Sequence, residues 1–493
     1  MKKKAGALLS SIRIERGSDK KISVQLYMAL REIILSGGLG AGDRLPASRT
    51  LAREIGVSRT TVIDAVDRLI AEGMLVSKVG AGTFVSDILE HQRPAVPPAT
   101  QSQGAVAQPR LSHTITHASA SYGPRSWLPH ETRAFVTALP ALDAFPRTHW
   151  ARISARHLRG APDEIMGYGQ PQGYQRLRQS IASHLHAVRG IQCRPEQIFV
   201  TGGAQQAFSL IGRVLLNAGD RVWYENPGAV GARNAFVACG GVLTPVHVDD
   251  EGMNIADGLQ QAPHFRLAFV TPSHQQPLGH VMSLPRRLEL LEAASQAQAI
   301  IVEDDYDGEF HFDGRPQPPL KSIDTQDRVI YVGTFSKTLF PSLRLGFMLV
   351  PESLVSVFDS VFASWISSPP TSTQAIVADF MEEGQFATHI RMMRRLYLAR
   401  YQVLMEAAQA LPDMVRVQET SSGFHTMAFL DSRIDEHAVV AQAEAQGVTI
   451  APLSRYCLEP VQQKGIVLGF GSAAPDDILS GMEVLSTLPA LNL

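Results

Sequence analysis

Lys337 stands in VGTFSKTLFPSLRLGF, residues 332–347, among small hydroxyl residues and directly after the apolar run VIYVG. A primary amine whose pKa is depressed by desolvation and neighbouring cations can form an imine with a carbonyl. Most lysines are merely solvated, but few follow a buried strand with such small neighbours. Thr334 and Ser336 flank it, and Arg344 follows. Two further polar clusters share this setting. IFVT runs into GGAQQ at 202–206, and AIIVE runs into Asp304, Asp305 and Tyr306. In open α/β sheets the carboxyl ends of the strands are where ligands bind.

Each cluster has a physical use. Gly202 and Gly203 precede a helical stretch, so the backbone of Gly203 and the N–H groups of Ala204 and Gln205 can hold a phosphate at the positive helix end. A tight turn is the plainer reading of such a pair. Asp304 could pair with a protonated ring nitrogen and Tyr306 with a phenolic oxygen, although EDDYDGEF taken alone reads as an acidic turn. Arg344 could neutralise a phosphate or serve as an ordinary ion-pair residue. His274 and Gln276, in SHQQPLG, fall beside the same crevice. Together the parts describe a pyridoxal phosphate site, with a Schiff-base lysine, an aspartate on the pyridinium nitrogen and a phosphate cup. No metal site is expected: His184 and His186 are two apart and diverge on a helix. The remaining histidines read as surface or ordinary core residues.

The scaffold for these residues is an α/β domain. IFVT, RVWYE, RLAFVT, AIIVED and RVIYVG are short apolar β runs separated by helical stretches such as PRRLELLEAASQAQ, which predicts a mostly parallel sheet. With 493 residues, 45% hydrophobic and 19% charged, the chain has room for two or three domains. Charge divides unevenly: residues 1–86 hold 14 Lys+Arg against 8 Asp+Glu, and the remainder 31 against 39. A basic segment of +6 joined to a body of −8 places nucleic-acid contact at the N-terminus. Cys193, Cys239 and Cys457 lack metal-type spacing and read as reduced thiols of a cytoplasmic protein. MKKKAGALLSSIRIERG is a poor secretory signal, and no apolar stretch is long enough to span a bilayer, so no membrane contact is expected.

In the basic segment, ISVQLYMALREIILS (22–36) puts Ile22, Leu26, Leu30 and Ile33 on one helical stripe. SRTLAREI (48–55) is a second helix ending at Gly56. Ser58 caps a third, whose Val62, Val66 and Leu69 face inward. MLVSKVGAGTFVS then gives two β runs around a glycine turn, completing a winged helix-turn-helix. Ser58, Arg59, Thr60 and Thr61 at a helix start suit phosphates and a guanine edge. Arg44 and Arg49 stand upstream, and Lys78 stands beside Gly80 in the wing. A helical hairpin with a solvated basic face is the plainer alternative. The expected division is a winged domain over 1–87, a flexible linker over 88–112 rich in Pro, Gln, Ala and Ser, and the α/β domain over 113–493.

LPASR, GVSRTTVIDA and GAGTFV resemble the winged domain of the GntR family over roughly residues 20–86. By that resemblance Arg49, Ser58, Arg59, Thr60, Thr61 and Gly80 contact DNA. Ile63 departs from relatives with an arginine there, so their base code does not carry over. From about residue 120, YGQPQGYQRLRQSIASHL, VTGGAQQAF, TPSHQQPLG, VEDDYDGEF and GTFSKTLFPSLRLGF resemble a fold-type I aminotransferase, with a smaller C-terminal α+β subdomain. The combined layout is that of the MocR/GabR family of bacterial transcription regulators. The resemblance implies pyridoxal phosphate on Lys337, Asp304 on the ring nitrogen and Tyr306 on the ring oxygen. It also implies Arg344, Thr334 and the Ala204–Gln205 turn on the phosphate, and Arg455 on an effector carboxylate. Two positions depart from it. Ala229 replaces an aromatic that stacks on the cofactor, a loss of about 1 kcal/mol, and Gln276 replaces another aromatic.

The resemblance further implies a head-to-tail homodimer on promoter DNA that senses a small amine or amino acid by aldimine exchange at Lys337. The competing expectation is a working aminotransferase with an accessory DNA-binding module. A cofactor-free dimerisation scaffold would make the three clusters coincidental.

Overall fold

The computed structural model describes residues 12–87, 110–112, 114–116, 118, 133–160, 163–312 and 316–491. The chain divides into two compact units, Met1–Pro109 and Arg110–Leu493. Most of the expected linker, 88–112, lies outside the described residues.

The first unit packs helices α1 (Ile22–Leu35), α2 (Ser48–Ile55) and α3 (Arg59–Ala71) beside a hairpin of β1 (Leu75–Lys78) and β2 (Gly82–Val85). Leu26, Leu30 and Ile34 form the buried stripe of α1, so the inward residue of its last turn is Ile34, while Ile33 is only partly buried. On α3 the buried residues are Val62, Ala65 and Leu69, with Val66 half-buried. Each fully buried aliphatic side chain contributes about 1.5–3 kcal/mol. Gly56 ends α2 in the left-handed conformation at φ 74°, which favours glycine. Ser58 opens α3, its side chain accepting from the Thr61 amide at 3.1 Å.

The second unit is built on an eight-stranded sheet ordered β3-β10-β9-β8-β7-β4-β5-β6. The strands are β3 (Ile198–Thr201), β4 (Arg221–Asn226), β5 (Val242–Asp249), β6 (Gly252–Met253), β7 (Leu267–Val270), β8 (Ile300–Asp305), β9 (Val329–Thr334) and β10 (Gly346–Leu349). Neighbours from β5 through β4, β7 and β8 to β9 pair parallel, while β10 runs antiparallel to both β9 and β3. Hence β3 runs in the same sense as β9, and all five predicted strands end on one edge. β3, β4, β7 and β9 are almost wholly buried, as expected for a sheet covered on both faces. A C-terminal α+β layer follows, with four strands ordered β11-β12-β14-β13, all antiparallel: Val415–Val417, His425–Leu430, Ala451–Pro452 and Lys464–Gly469 for β11 to β14. Among the described residues, no helix is long and apolar enough to cross a membrane.

Candidate functional site

The strand pairing brings the clusters together. Gly346 on β10 lies opposite both Thr201 and Thr334, so the turn after β3 and the end of β9 flank one glycine. A Cβ at Gly346 would meet the Gly333 carbonyl oxygen at 2.9 Å and Gly203 Cα at 3.1 Å. Asp304 on β8 is registered with Val332 on β9, two residues before Thr334. Gly203 takes φ 99° and opens the helix Ala204–Leu215, here α4, whose first-turn amides at Ala204 and Gln205 have no preceding carbonyl to reach. The Gln205 side chain donates to the Gly231 carbonyl at 2.7 Å. Thr334 caps the short helix Phe335–Thr338, accepting from the Ser336 amide at 3.1 Å. Lys337, on that helix, is half-buried and donates from Nζ to the Ala138 carbonyl. Arg344 is exposed, in the left-handed region at φ 49°.

The acidic run from Glu303 to Glu309, which spans the end of β8 and the turn after it, is largely buried, and each neighbour of Asp304 has a partner. Glu303 accepts from the amides of Leu320 and Lys321, each at 2.9 Å. Asp305 pairs with Arg189 and accepts from the Tyr331 hydroxyl at 2.5 Å. Asp307 holds His274 Nδ1 at 2.7 Å, and Glu309 holds His184 Nε2 at 2.7 Å. Asp304 differs: it is 8% exposed and its side chain accepts no hydrogen bond among the described residues, whereas Asp305 and Glu309 each leave one oxygen unpaired but bond through the other. Burial, together with Asp305 and Asp307, pushes its carboxyl up to about 8, against the pull of the Lys337 ammonium. A carboxyl left so is a site for a buried cation with an N–H to donate.

Tyr306 and His274 form the next layer. The Tyr306 hydroxyl donates to the His274 carbonyl at 2.9 Å, and both side chains are buried. Gln276 is half-buried and precedes Pro277; its amide donates to Thr271 Oγ1 at 3.1 Å. Ala229, which stands where the resembled family carries an aromatic, is buried, and its carbonyl accepts from the Tyr224 hydroxyl. The neighbouring Gly228 amide donates to the Tyr456 carbonyl at 2.9 Å. Arg455 lies on the turn Leu453–Tyr456, half-buried, with its carbonyl accepting from Arg233 Nη2 at 3.1 Å.

Sequence reasoning missed Arg189, Tyr331, Asp307, Ala138, Tyr456 and His425, all of which touch or support this region. Only Gly423, two residues before His425, offered a sequence signal. A Cβ there would come within 2.3 Å of the His274 ring, a close approach that only glycine permits.

In the first unit Arg44, Arg49, Ser58, Arg59, Thr60, Lys78 and Gly80 are exposed, and Thr61 is half-buried. The starts of α2 and α3 adjoin, since Arg59 Nε donates to Ser48 Oγ at 3.3 Å. Arg44 and Lys78 lie over the Phe84 ring of the wing at 6.0 and 5.5 Å from its centroid. Gly82 makes room for Arg44, whose Nε would be 2.8 Å from a Cβ.

Residues 140–460 match the aminotransferase class I and II family, and residues 22–85 match the gntR family of bacterial regulatory proteins. The chain is 40% identical over 473 residues to a probable rhizopine catabolism regulatory protein, MocR, of Rhizobium meliloti, covering 96% of this chain and 94% of that one. The chain belongs to the MocR family of transcription regulators. It is also 30% identical, over 93% of each chain, to the pyridoxine biosynthesis regulator PdxR of Corynebacterium glutamicum. Among solved structures it is similar to LysN, an α-aminoadipate aminotransferase of Thermus thermophilus complexed with N-(5'-phosphopyridoxyl)-L-leucine. Identity there is 26% and the TM-score 0.67, covering 77% of this chain and 95% of that one. The large unit of this MocR-family chain therefore has the aminotransferase fold, and its cofactor is pyridoxal 5'-phosphate. The unpartnered Asp304 oxygen, the open helix start at Gly203 and the amine at Lys337 fit the ring nitrogen, the phosphate and the aldehyde of that group.

Proposed function

We propose that this regulator senses a small amine at Lys337 and converts its capture into a change in operator affinity. The observation that carries the reading is the unpartnered, buried Asp304 carboxyl held within the field of the Lys337 ammonium. Bound there, pyridoxal phosphate supplies an aldehyde carbon that primary amines capture reversibly. Lys337 would offer the resident amine, which in this structure is held by the Ala138 carbonyl. Asp304 holds the protonated ring nitrogen. Once its carboxylate is paired, it stays charged where desolvation otherwise keeps it neutral. Gly203, Ala204, Gln205, Thr334, Ser336 and Arg344 hold the phosphate. Tyr306 would meet the ring oxygen, His274 and Gln276 would contact the cofactor, and Arg455 would be available to an effector carboxylate.

An effector that displaces Lys337 favours one arrangement of the protein over another only to the extent that it binds the two differently. The DNA-reading set is Arg44, Arg49, Ser58, Arg59, Thr60, Thr61, Lys78 and Gly80. The working form is a head-to-tail dimer spanning two half-sites, with domain limits at 1–87, 88–112 and 113–493. Because amino-group transfer would use the same residues, turnover by an aminotransferase with an accessory winged domain is the competing reading. The purified protein should carry a visible absorption band that Lys337→Ala abolishes. Multiple turnovers of keto acid without any amine effect on operator binding would favour the competing reading.

A further inference from the structure

The wing is a hairpin of two short strands, and two strands alone are marginal in water. A third segment steadies it. The Leu45 amide donates to the Thr83 carbonyl and the Val85 amide to the Asp43 carbonyl, each at 2.9 Å, which sets Arg44 directly opposite Phe84. A pair whose hydrogen bonds lie on the flanking residues brings its side chains close. Alternation along the strands puts Arg44, Phe84, Gly82 and Lys78 on one face, because Gly82 is two residues from Phe84 and pairs with Lys78.

On that face two cations share one ring. Arg44 Cζ lies 6.0 Å and Lys78 Nζ 5.5 Å from the Phe84 centroid, within reach of cation–π attraction. Gly82 is the floor under the guanidinium: a Cβ there would stand 2.8 Å from Arg44 Nε, 3.1 Å from Nη2 and 3.3 Å from Cζ. Among the described residues the ion pairs of this unit join Arg31 to Glu72 and Arg68 to Asp64, so neither wing cation has a carboxylate partner. Both are exposed. The ring therefore fixes two like charges on one open face without neutralising them, and an anion that meets both is favoured there.

We infer that Phe84 is a positioning residue for DNA binding, seating Arg44 and Lys78 as one clamp on a backbone phosphate. The inference rests on the reading of the winged unit as the DNA-binding part. A long cationic side chain loses rotamer freedom when a phosphate fixes it. The ring and the bare floor at Gly82 have restricted both side chains beforehand, which lowers that cost. Phe84 carries no charge, so replacing it takes no cation from the interface. Its loss nevertheless frees the clamp and reduces the number of counter-ions that binding releases. Two cations that met phosphates independently would show no such dependence on the ring.

The probe is the duplex that the unmodified full-length protein enriches from a random-sequence pool, titrated over a series of salt concentrations. Phe84→Leu is expected to weaken binding roughly fivefold and to lower the slope of log K against log salt about as much as Lys78→Ala does. Phe84→Tyr, which keeps the ring face, is expected to retain the slope and to bind within about twofold of the unmodified protein. Arg44→Ala and Lys78→Ala combined should cost clearly less than the product of the two single losses. That comparison leaves Phe84 in place, so it decides the matter even where Phe84→Leu loosens the unit in a thermal melt. An unchanged slope in folded Phe84→Leu, a Phe84→Tyr slope as low as that of Phe84→Leu, or cation losses that multiply to within about twofold overturn the inference and leave the DNA-binding reading standing. A protein that enriches no duplex overturns that reading and takes this inference with it.

Discussion

The winged unit and the β8–β9 crevice both use charge, but in opposite solvent environments. Arg44, Arg49, Arg59 and Lys78 are exposed on their helices and wing. Asp304, Asp305 and Asp307 are buried within a few residues of one another. Exposed charges act through water and are screened by salt over about a nanometre. They suit a polyanion met at a distance. Buried carboxylates change their protonation instead, and the geometry of their partners decides what each can do. The two regions should therefore answer to different perturbations, the first to ionic strength and the second to pH and single-atom changes.

The largest effect expected is at Lys337. Lys337→Ala should remove the visible band altogether, and an absorption spectrum of the purified variant checks this. Asp304→Asn should weaken cofactor binding by about 2–5 kcal/mol, measured by equilibrium dialysis, because a buried ring cation loses its counter-charge. In the cofactor-free chain the same change should act in the opposite direction. The folded-state value of Asp304, about 8, lies above the roughly 3.9 of an unfolded aspartate. Its contribution to stability is therefore full below about pH 4 and is lost as pH rises through 8. Glu225 and Glu303, each pushed up to about 7 by burial, act in the same sense. Cofactor-free protein should melt lower near pH 8.5 than near pH 5.5, and Asp304→Asn should narrow that gap by ~1–3 kcal/mol. A melting curve that rises with pH would break the contrast between the two regions.

These predictions lean on features that the sequence shows unevenly. The apolar runs into GGAQQ, EDDYD and TFSK were legible, because a buried strand is apolar throughout and its polar end residues stand out. That they meet on one edge follows from β10, whose short GFML run was read only as part of the lysine motif. β10 reverses direction and so returns β3 to the common sense. Strand β5, VLTPVHVD, alternates buried and exposed residues as a half-covered strand should, yet Pro245 masked it. The partners of the acidic run were not legible at all. Arg189 meets Asp305 across 116 residues, and nothing local in HAVRG marks that arginine for burial. His425 was classed with the structural histidines because its unpaired Nε2 exists only in three dimensions. In the winged unit the elements follow one another closely in sequence, with Gly56 ending α2 and Ser58 capping α3, so LPASR, Ser58 and the glycine wing sufficed.

Smaller effects belong to that unit. Arg59→Ala should weaken operator binding roughly tenfold and relax its sequence preference, as a titration against operator variants would show. Arg49→Ala should weaken all sequences alike and lower the slope of log K against log salt by about 1. Ser58→Ala removes the acceptor of the Thr61 amide and should cost the winged unit about 1 kcal/mol in denaturant melts, with the visible band unchanged.

The central claim joins the two regions, and operator affinity measured on cofactor-loaded protein with and without a saturating amine tests it most directly. The account predicts a shift in Kd of at least roughly fivefold, the low end of ordinary coupling energies, that disappears in Lys337→Ala. A Kd that the amine leaves unchanged while the visible band shifts would contradict it.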